Sequence, residues 1–294
     1  MKNHSSLRTL VCLVLAVALT LAVAACGGDP AESPSSDDGG SLISSGSSSK
    51  TSSSSGSGST SGSDSSNSEG TASTGNVQKD MLTKMAAFAQ KNEDTVGWLT
   101  VPGTTIDEVV VQAPDNDYYL RRNNMKQSDF NGFYYADYRT NLGARKDLSK
   151  NVVIYGHSMD DNPDGARFSQ LKKYLDIEYC KQNPYLYFST PEAELTWQIF
   201  AVYYTDINFD YIDPNPDAAK FTNMVSEMKQ RSQFVFDVDV SATDTILTLS
   251  TCTYKETTNR SNYRYVVQAK LLPAGASLTT PVKVEVNPSP KSPF

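Results

Sequence analysis

TLSTCTYKETTNRSNYRYVVQAK, residues 248–270, places one cysteine at the end of an apolar, β-branched run and two arginines before the next such run. The pattern predicts two strands, over 245–250 and 263–272, separated by a polar loop. Cys252 then stands at the lip of a strand, where the sheet fixes the side chain and the loop leaves it accessible. A thiol attacks carbonyls as the thiolate, so a nucleophile there requires an open, electropositive or proton-accepting setting. The alternative is a buried thiol that merely ends a strand.

Scarcity narrows the partners. The chain has 294 residues, a net charge of -7, four cysteines and two histidines. Cys12 and His4 lie in an N-terminal leader, so any Cys–His chemistry in the mature chain must use His157. His157 directly follows the compact apolar run KNVVIYG (150–156), so it too stands at a strand end, and Arg264 opens the run YVVQAK. A nucleophile, an acid–base group and a cation for a developing oxyanion thus fall at the mouths of three predicted strands. Each also has a structural reading, as a packed thiol, a loop histidine and a solvated arginine, and spacing alone does not separate them. Cys180 either is an inert thiol or pairs with Cys252 in a disulfide, which an oxidising compartment permits and which would block nucleophilic chemistry.

The remaining pattern is that of a mainly β domain with helical insertions. Met81, Met85, Phe88 and Ala89 predict an amphipathic helix over 77–91, and Phe221, Met224, Val225 and Met228 predict another over 217–231. VGWLTVPGTTIDEVVVQ (96–112) predicts two strands around the Pro102-Gly103 turn, and further strands are expected over 185–189, 195–204 and 282–286, with a short helix over 168–174. Asp160-x-Asn162-x-Asp164-Gly165 opens like an EF-hand loop, but Leu171 stands where a bidentate Glu is needed, so a plain Asx turn is expected. One histidine and two distant cysteines supply no zinc cluster, so no metal and no cofactor are expected. The acidic balance argues against nucleic acid.

The N-terminus reads differently. Residues 1–25 have a short basic start and an apolar run, the layout of a secretory signal. Val23-Ala24-Ala25-Cys26-Gly27 resembles a lipobox, which implies a lipidated Cys26 as the mature N-terminus; an uncleaved membrane anchor is the competing expectation. Residues 26–76, rich in Ser and Gly, are expected to be a disordered tether, spanning roughly 40 Å as a flexible coil. The expected organisation is a leader (1–25), a tether (26–76), a folded domain (77–286) and a Pro-rich tail (287–294), held extracytoplasmically at a membrane.

Wording carries further than spacing. TLSTC followed by an arginine opening RYVVQAK resembles the sortase signature. NVVIYGHSM with ARFSQLKKY, GWLTVPGTTID (97–107), DNDYYL (115–120) and NGFYYADYR (131–139) resemble class B sortase segments, in the expected order. The resemblance spans 77–272 and implies an eight-stranded sortase-type β-barrel with an N-terminal helix and a helix in a late strand connection. It implies a cysteine transpeptidase in which Cys252 is the nucleophile, His157 the acid–base group and Arg264 the oxyanion ligand, with Arg260 the less favoured arginine. Tyr155, Ser250, Thr251 and Asn116 resemble positions lining the peptide groove. The implied partners are surface-protein or pilin substrates with a sorting motif cleaved after Thr, a peptidoglycan precursor or cross-bridge amine as acceptor, and a membrane at the N-terminus. The lipobox, the long tether and the extra residues in YGHSMDDNPDGARF depart from the family pattern. A peptidoglycan-associated cysteine peptidase, or a non-catalytic sortase-like lipoprotein, are the rival expectations.

Overall fold

The computed structural model describes residues 72–255 and 262–294, so Cys26, the leader, most of the tether and Arg260 lie outside the described residues. Chain order is α1 (Ala72–Ala89), β1 (Thr95–Thr100), β2 (Asp107–Val111), β3 (Tyr135–Ala136), β4 (Asn151–Tyr155), α2 (Ile177–Gln182), β5 (Tyr185–Ser189), β6 (Thr196–Asp206), α3 (Ala218–Arg231), β7 (Phe234–Phe236), β8 (Ile246–Cys252), β9 (Tyr263–Leu271) and β10 (Val284–Val286). Among the described residues, eight strands close into a barrel in the order β1-β2-β3-β4-β8-β9-β6-β5, and β7 pairs with β10 beside it. The expected eight-stranded barrel is therefore present.

α1 buries Met81 and Met85 against β1 and begins earlier than its apolar pattern, because 72–76 carries no large apolar residue to report a face. At the β1–β2 turn Gly103 has φ +75°, a left-handed conformation that glycine adopts without a Cβ penalty. α3 starts where Asp217 accepts a hydrogen bond from the Lys220 amide at 2.8 Å. Its apolar stripe of Phe221, Met224, Val225 and Met228 packs on the outer barrel face against Phe200, Tyr203, Ile246 and Val266. β8 is consequently buried along its whole length: Leu247 and Leu249 enter the barrel core, while Ile246 lies under α3.

Three elements were not legible in the pattern. β3 is two residues long, β7 is three, and α2 is a six-residue helix capped by Asp176, which accepts from the Glu178 amide at 2.8 Å. Such lengths show no period. Residues 287–294 do not trail as a tail: the Lys291 amide donates to the Gln230 carbonyl at 2.9 Å, and the Phe294 ring lies 4.9 Å from that of Tyr263.

A buried polar row crosses the strands under α3. The Thr248 hydroxyl lies 2.6 Å from Asn151 Oδ1 and 3.0 Å from Gln268 Oε1, and Gln268 Nε2 donates to the Tyr203 hydroxyl at 3.1 Å. Asn151 Nδ2 donates to the carbonyls of Tyr211 (2.9 Å) and Asp213 (3.1 Å), tying the β6–α3 connection to the sheet. Thr248→Val keeps the shape but leaves two buried amide oxygens without this donor. It should cost about 1–3 kcal/mol in urea unfolding, and an unchanged midpoint would show that the row carries no stability.

Candidate active site

Strand register assembles the site. β4 runs parallel to β8 with Tyr155 opposite Ser250, and the ladder continues one residue, the Gly156 amide donating to the Ser250 carbonyl at 3.3 Å. Two residues on from that pair stand His157 and Cys252. β9 runs antiparallel to β8 with Arg264 directly opposite Cys252. The backbones of His157, Cys252 and Arg264 therefore occupy one level on three successive chain segments, neighbours in the sheet being roughly 5 Å apart. Cys252 is the last residue of its strand and is 9% exposed, so the thiol is sheltered at the lip. Tyr211 and Tyr135 lie close enough to sense this corner. Burial pushes the Tyr211 hydroxyl up and the Arg264 guanidinium pulls it back; burial also pushes Tyr135 up, helped by charge at Cys252 and opposed by Arg264.

His157 is held by its neighbours. Its carbonyl accepts from the Phe168 amide at 2.9 Å, and its Nε2 lies 2.8 Å from the Leu120 carbonyl and 3.1 Å from Arg121 Nη1. A carbonyl can only accept, so the shorter contact places the proton on Nε2 and leaves Nδ1 as the basic nitrogen. Gly132 makes this approach possible: a Cβ there would lie 2.5 Å from the Leu120 carbonyl and 2.9 Å from His157 Cδ2. Burial lowers the imidazole pKa below its ordinary 6.5; the Leu120 hydrogen bond opposes this, and the Arg121 and Arg167 guanidiniums add to it.

The four predicted groove residues part into three environments. Tyr155 and Asn116 converge on one buried carboxylate, Asp137: the Tyr155 hydroxyl donates to Oδ2 at 2.9 Å and Asn116 Nδ2 at 3.1 Å. Arg139 closes on the same group through Nε (2.9 Å) and Nη2 (2.8 Å). Burial alone would raise the Asp137 carboxyl, but the Arg139 hydrogen bonds outweigh it and hold it below its usual range. Ser250 lies 2.9 Å from the Tyr211 hydroxyl on the Cys252 face of β8. Thr251 points the other way, since strand side chains alternate, and pairs with Tyr265 of the barrel core. Thr251 is 3% exposed, so it is a core residue and not one that lines a groove.

Cys180 and Cys252, the two cysteines among the described residues, form no disulfide with each other. Cys180 is fully buried on α2 and donates to the Tyr174 carbonyl at 3.3 Å; burial pushes its thiol up to about 12, as suits an inert core residue. Residues 160–165 form stacked Asx turns, the Asp164 amide donating to Asn162 Oδ1 at 3.0 Å. No group of three or more metal-ligating side chains occurs among the described residues.

The family described as "Sortase: Sortase domain" matches residues 99–272, which contain His157, Cys252 and Arg264. The chain belongs to the sortase family. Sortase B of Listeria monocytogenes is 36% identical over 202 residues, 68% of this chain and 79% of that protein. Sortase B of Staphylococcus aureus is 29% identical over 198 residues, 66% and 77% of the two chains. The structure described as "Staphylococcus aureus sortase B-substrate complex" superposes with a TM-score of 0.59 at 26% identity, covering 68% of this chain and 93% of that one. This sortase is accordingly of class B, a cysteine transpeptidase.

Asp137, Tyr211 and Leu120 of this sortase were not singled out from sequence. Asp137 lies inside the quoted segment NGFYYADYR, but nothing in its spacing reports that two groove residues bond to it. The His157 environment makes a testable claim about charge. Because the native pKa is lowered, the unfolded chain binds the proton more readily. The stability from this site is full above 6.5 and is lost as pH falls through 6.5 toward the lowered native value. With two histidines in the chain, proton NMR can follow each ring. Arg121→Gln should raise the His157 midpoint while leaving it below 6.5, since burial is the larger cause; an unmoved midpoint would show that the guanidinium exerts no field there.

Proposed function

We propose that Cys252, His157 and Arg264 carry out the transpeptidation, on a surface-protein or pilin chain whose C-terminal sorting signal is cleaved after Thr. The observation that supports this is the strand register, with Arg264 opposite Cys252 and with Tyr155, two residues before His157, opposite Ser250. His157, neutral near pH 7, takes the Cys252 proton, and the thiolate adds to the threonine carbonyl. Arg264, opposite Cys252, faces the oxyanion that forms on the carbonyl oxygen. The imidazolium then gives its proton to the leaving amine, the C–N bond breaks, and a thioacyl-enzyme remains. An amine acceptor, from a peptidoglycan precursor, a cross-bridge or a pilin lysine, gives its proton to His157, attacks the thioester and releases the Cys252 thiol.

Tyr155 and Asn116, held by Asp137, are the partly exposed groups beside which an extended signal peptide would lie, and Ser250, buried against Tyr211, would brace the wall behind them. Cys26 lipidation would tether the enzyme outside the cytoplasm, with residues 26–76 giving the domain reach from the membrane. A diacylated Cys26 in the mass spectrum of the mature N-terminus supports this arrangement, and an intact Met1 overturns it.

The catalytic reading is tested with a quenched-fluorescence peptide carrying a sorting motif, with and without triglycine as acceptor. Cys252→Ala should abolish cleavage, and Arg264→Gln should lower kcat about 100-fold, as expected for loss of an oxyanion donor. Full cleavage by Cys252→Ala would end the assignment. Hydrolysis alone, at saturating acceptor, would favour a peptidase over a transferase.

A further inference from the structure

Lys172 is a lysine with no place in the reaction just described, yet it is only 3% exposed. It lies on the short 3-10 helix Phe168–Leu175, and its Nζ points into the corner behind the nucleophile. There Nζ donates to the Cys252 carbonyl at 3.4 Å and the Ser158 hydroxyl at 3.2 Å, pairs with Asp161 Oδ1 at 3.2 Å, and lies 5.1 Å from the Tyr265 ring. The other Asp161 oxygen accepts from the Thr253 hydroxyl at 2.8 Å and the Tyr254 amide at 2.7 Å. The Tyr254 hydroxyl in turn donates to the Ser158 carbonyl at 3.1 Å. Four of these bonds join Cys252, Thr253 and Tyr254 to Ser158, Asp161 and Lys172, which follow His157 in the chain. Ser158 and Asp161 lie in YGHSMDDNPDGARF, which departs from the family pattern.

We propose that Lys172 and Asp161 are positioning residues for the transpeptidation, an ion pair between a buried ammonium and a partly exposed carboxylate that locks the exit of β8 to the His157 loop and so fixes Cys252 relative to His157. The inference rests on the assignment of Cys252 and His157 above. Three observations support it. The β4–β8 ladder ends at the Gly156–Ser250 bond and the β8–β9 ladder at Cys252, so beyond those points no strand pairing ties the exit of β8 to the segment after His157. Lys172 and Asp161 supply the groups that bridge that gap. The Lys172 ammonium is buried in this pair, and its desolvation offsets much of the attraction to Asp161, so the pair is a weak source of net stability. Burial lowers the Lys172 pKa below its ordinary value, and Asp161, charge at Cys252 and Asp160 oppose this in part, so the lysine is electrostatically linked to the groups it touches.

The experiment separates positioning from folding. The full-length chain is made as Lys172→Met, Asp161→Asn, the Lys172→Met/Asp161→Asn double variant, and Cys252→Ala. Each is assayed for Tm, for kcat and KM on the sorting peptide, and for the rate of iodoacetamide alkylation of Cys252. Either single variant strands one charge of the pair and should lower both Tm and kcat. The double variant removes both charges and should recover Tm to near the parent, while kcat stays down about 10- to 100-fold with KM within about 3-fold, the scale of a displaced reacting group. Recovery of kcat together with Tm would overturn the proposal, because the pair would then be only structural. A Thr253→Val variant, which removes one bond of the bridge and strands no charge, should lower kcat less than the double variant does, with Tm held; a larger loss of kcat than in the double variant would overturn the assignment to Lys172 and Asp161. If Cys252→Ala is active, the catalytic assignment fails. If Cys252→Ala is dead while the double variant and Thr253→Val are both fully active, this inference alone fails.

Discussion

The parallel pairing of β4 with β8, with β9 laid antiparallel on its other side, is the constraint on which the site depends. Parallel neighbours need a long crossover, and here the chain between Tyr155 and Ile246 includes β5, β6, α2, α3 and β7. Side chains alternate along a strand, so a slip of one residue would turn Cys252 into the barrel and bring Thr251 out. The polar row opposes that slip. Asn151, Thr248 and Gln268 lie side by side on three strands, and only this register pairs all three while Leu247 and Leu249 face the core. Buried polar groups need partners more than apolar ones need particular neighbours, so they specify register where Val and Ile would tolerate several.

Charge at the site follows from burial and is corrected by neighbours. His157 and Lys172 are both cations disfavoured by desolvation, on opposite sides of the short segment 158–171, and each is answered by a different acceptor. His157 has a backbone carbonyl, which selects a tautomer without supplying charge. Lys172 has a carboxylate, which keeps the ammonium. Asp137 is the mirror case, a buried carboxylate held ionised by Arg139 and used to orient Tyr155 and Asn116. Burial makes such interactions worth more than they are at a surface.

Much of this was legible in the chain. β-branched runs ending in Cys252 and His157 mark β8 and β4, the Pro102-Gly103 turn separates β1 from β2, and the four-residue stripe of α3 identifies its buried face before any contact is known. Elements of two, three and six residues carried no period and escaped notice. Residues whose importance lies in a long-range bond escaped for a related reason. Lys172 follows Leu171 in an ordinary polar-apolar helix pattern and reads as a solvated side chain, yet its ammonium is buried against a carbonyl eighty positions later in the chain.

Local chemistry alone determined which groups could react: one mature histidine, one strand-end thiol and an arginine at the head of the last long strand, each a property of residue type and immediate neighbours. The motif order added the family. Tertiary structure decided which side chains share a face and what environment each feels. It turned Thr251 inward, gathered Tyr155 and Asn116 onto Asp137, and brought Lys172 and Asp161 together beside Cys252. The reason is physical: propensity and periodicity act over a few residues, whereas desolvation, ion pairing and register depend on segments that meet only when the barrel closes.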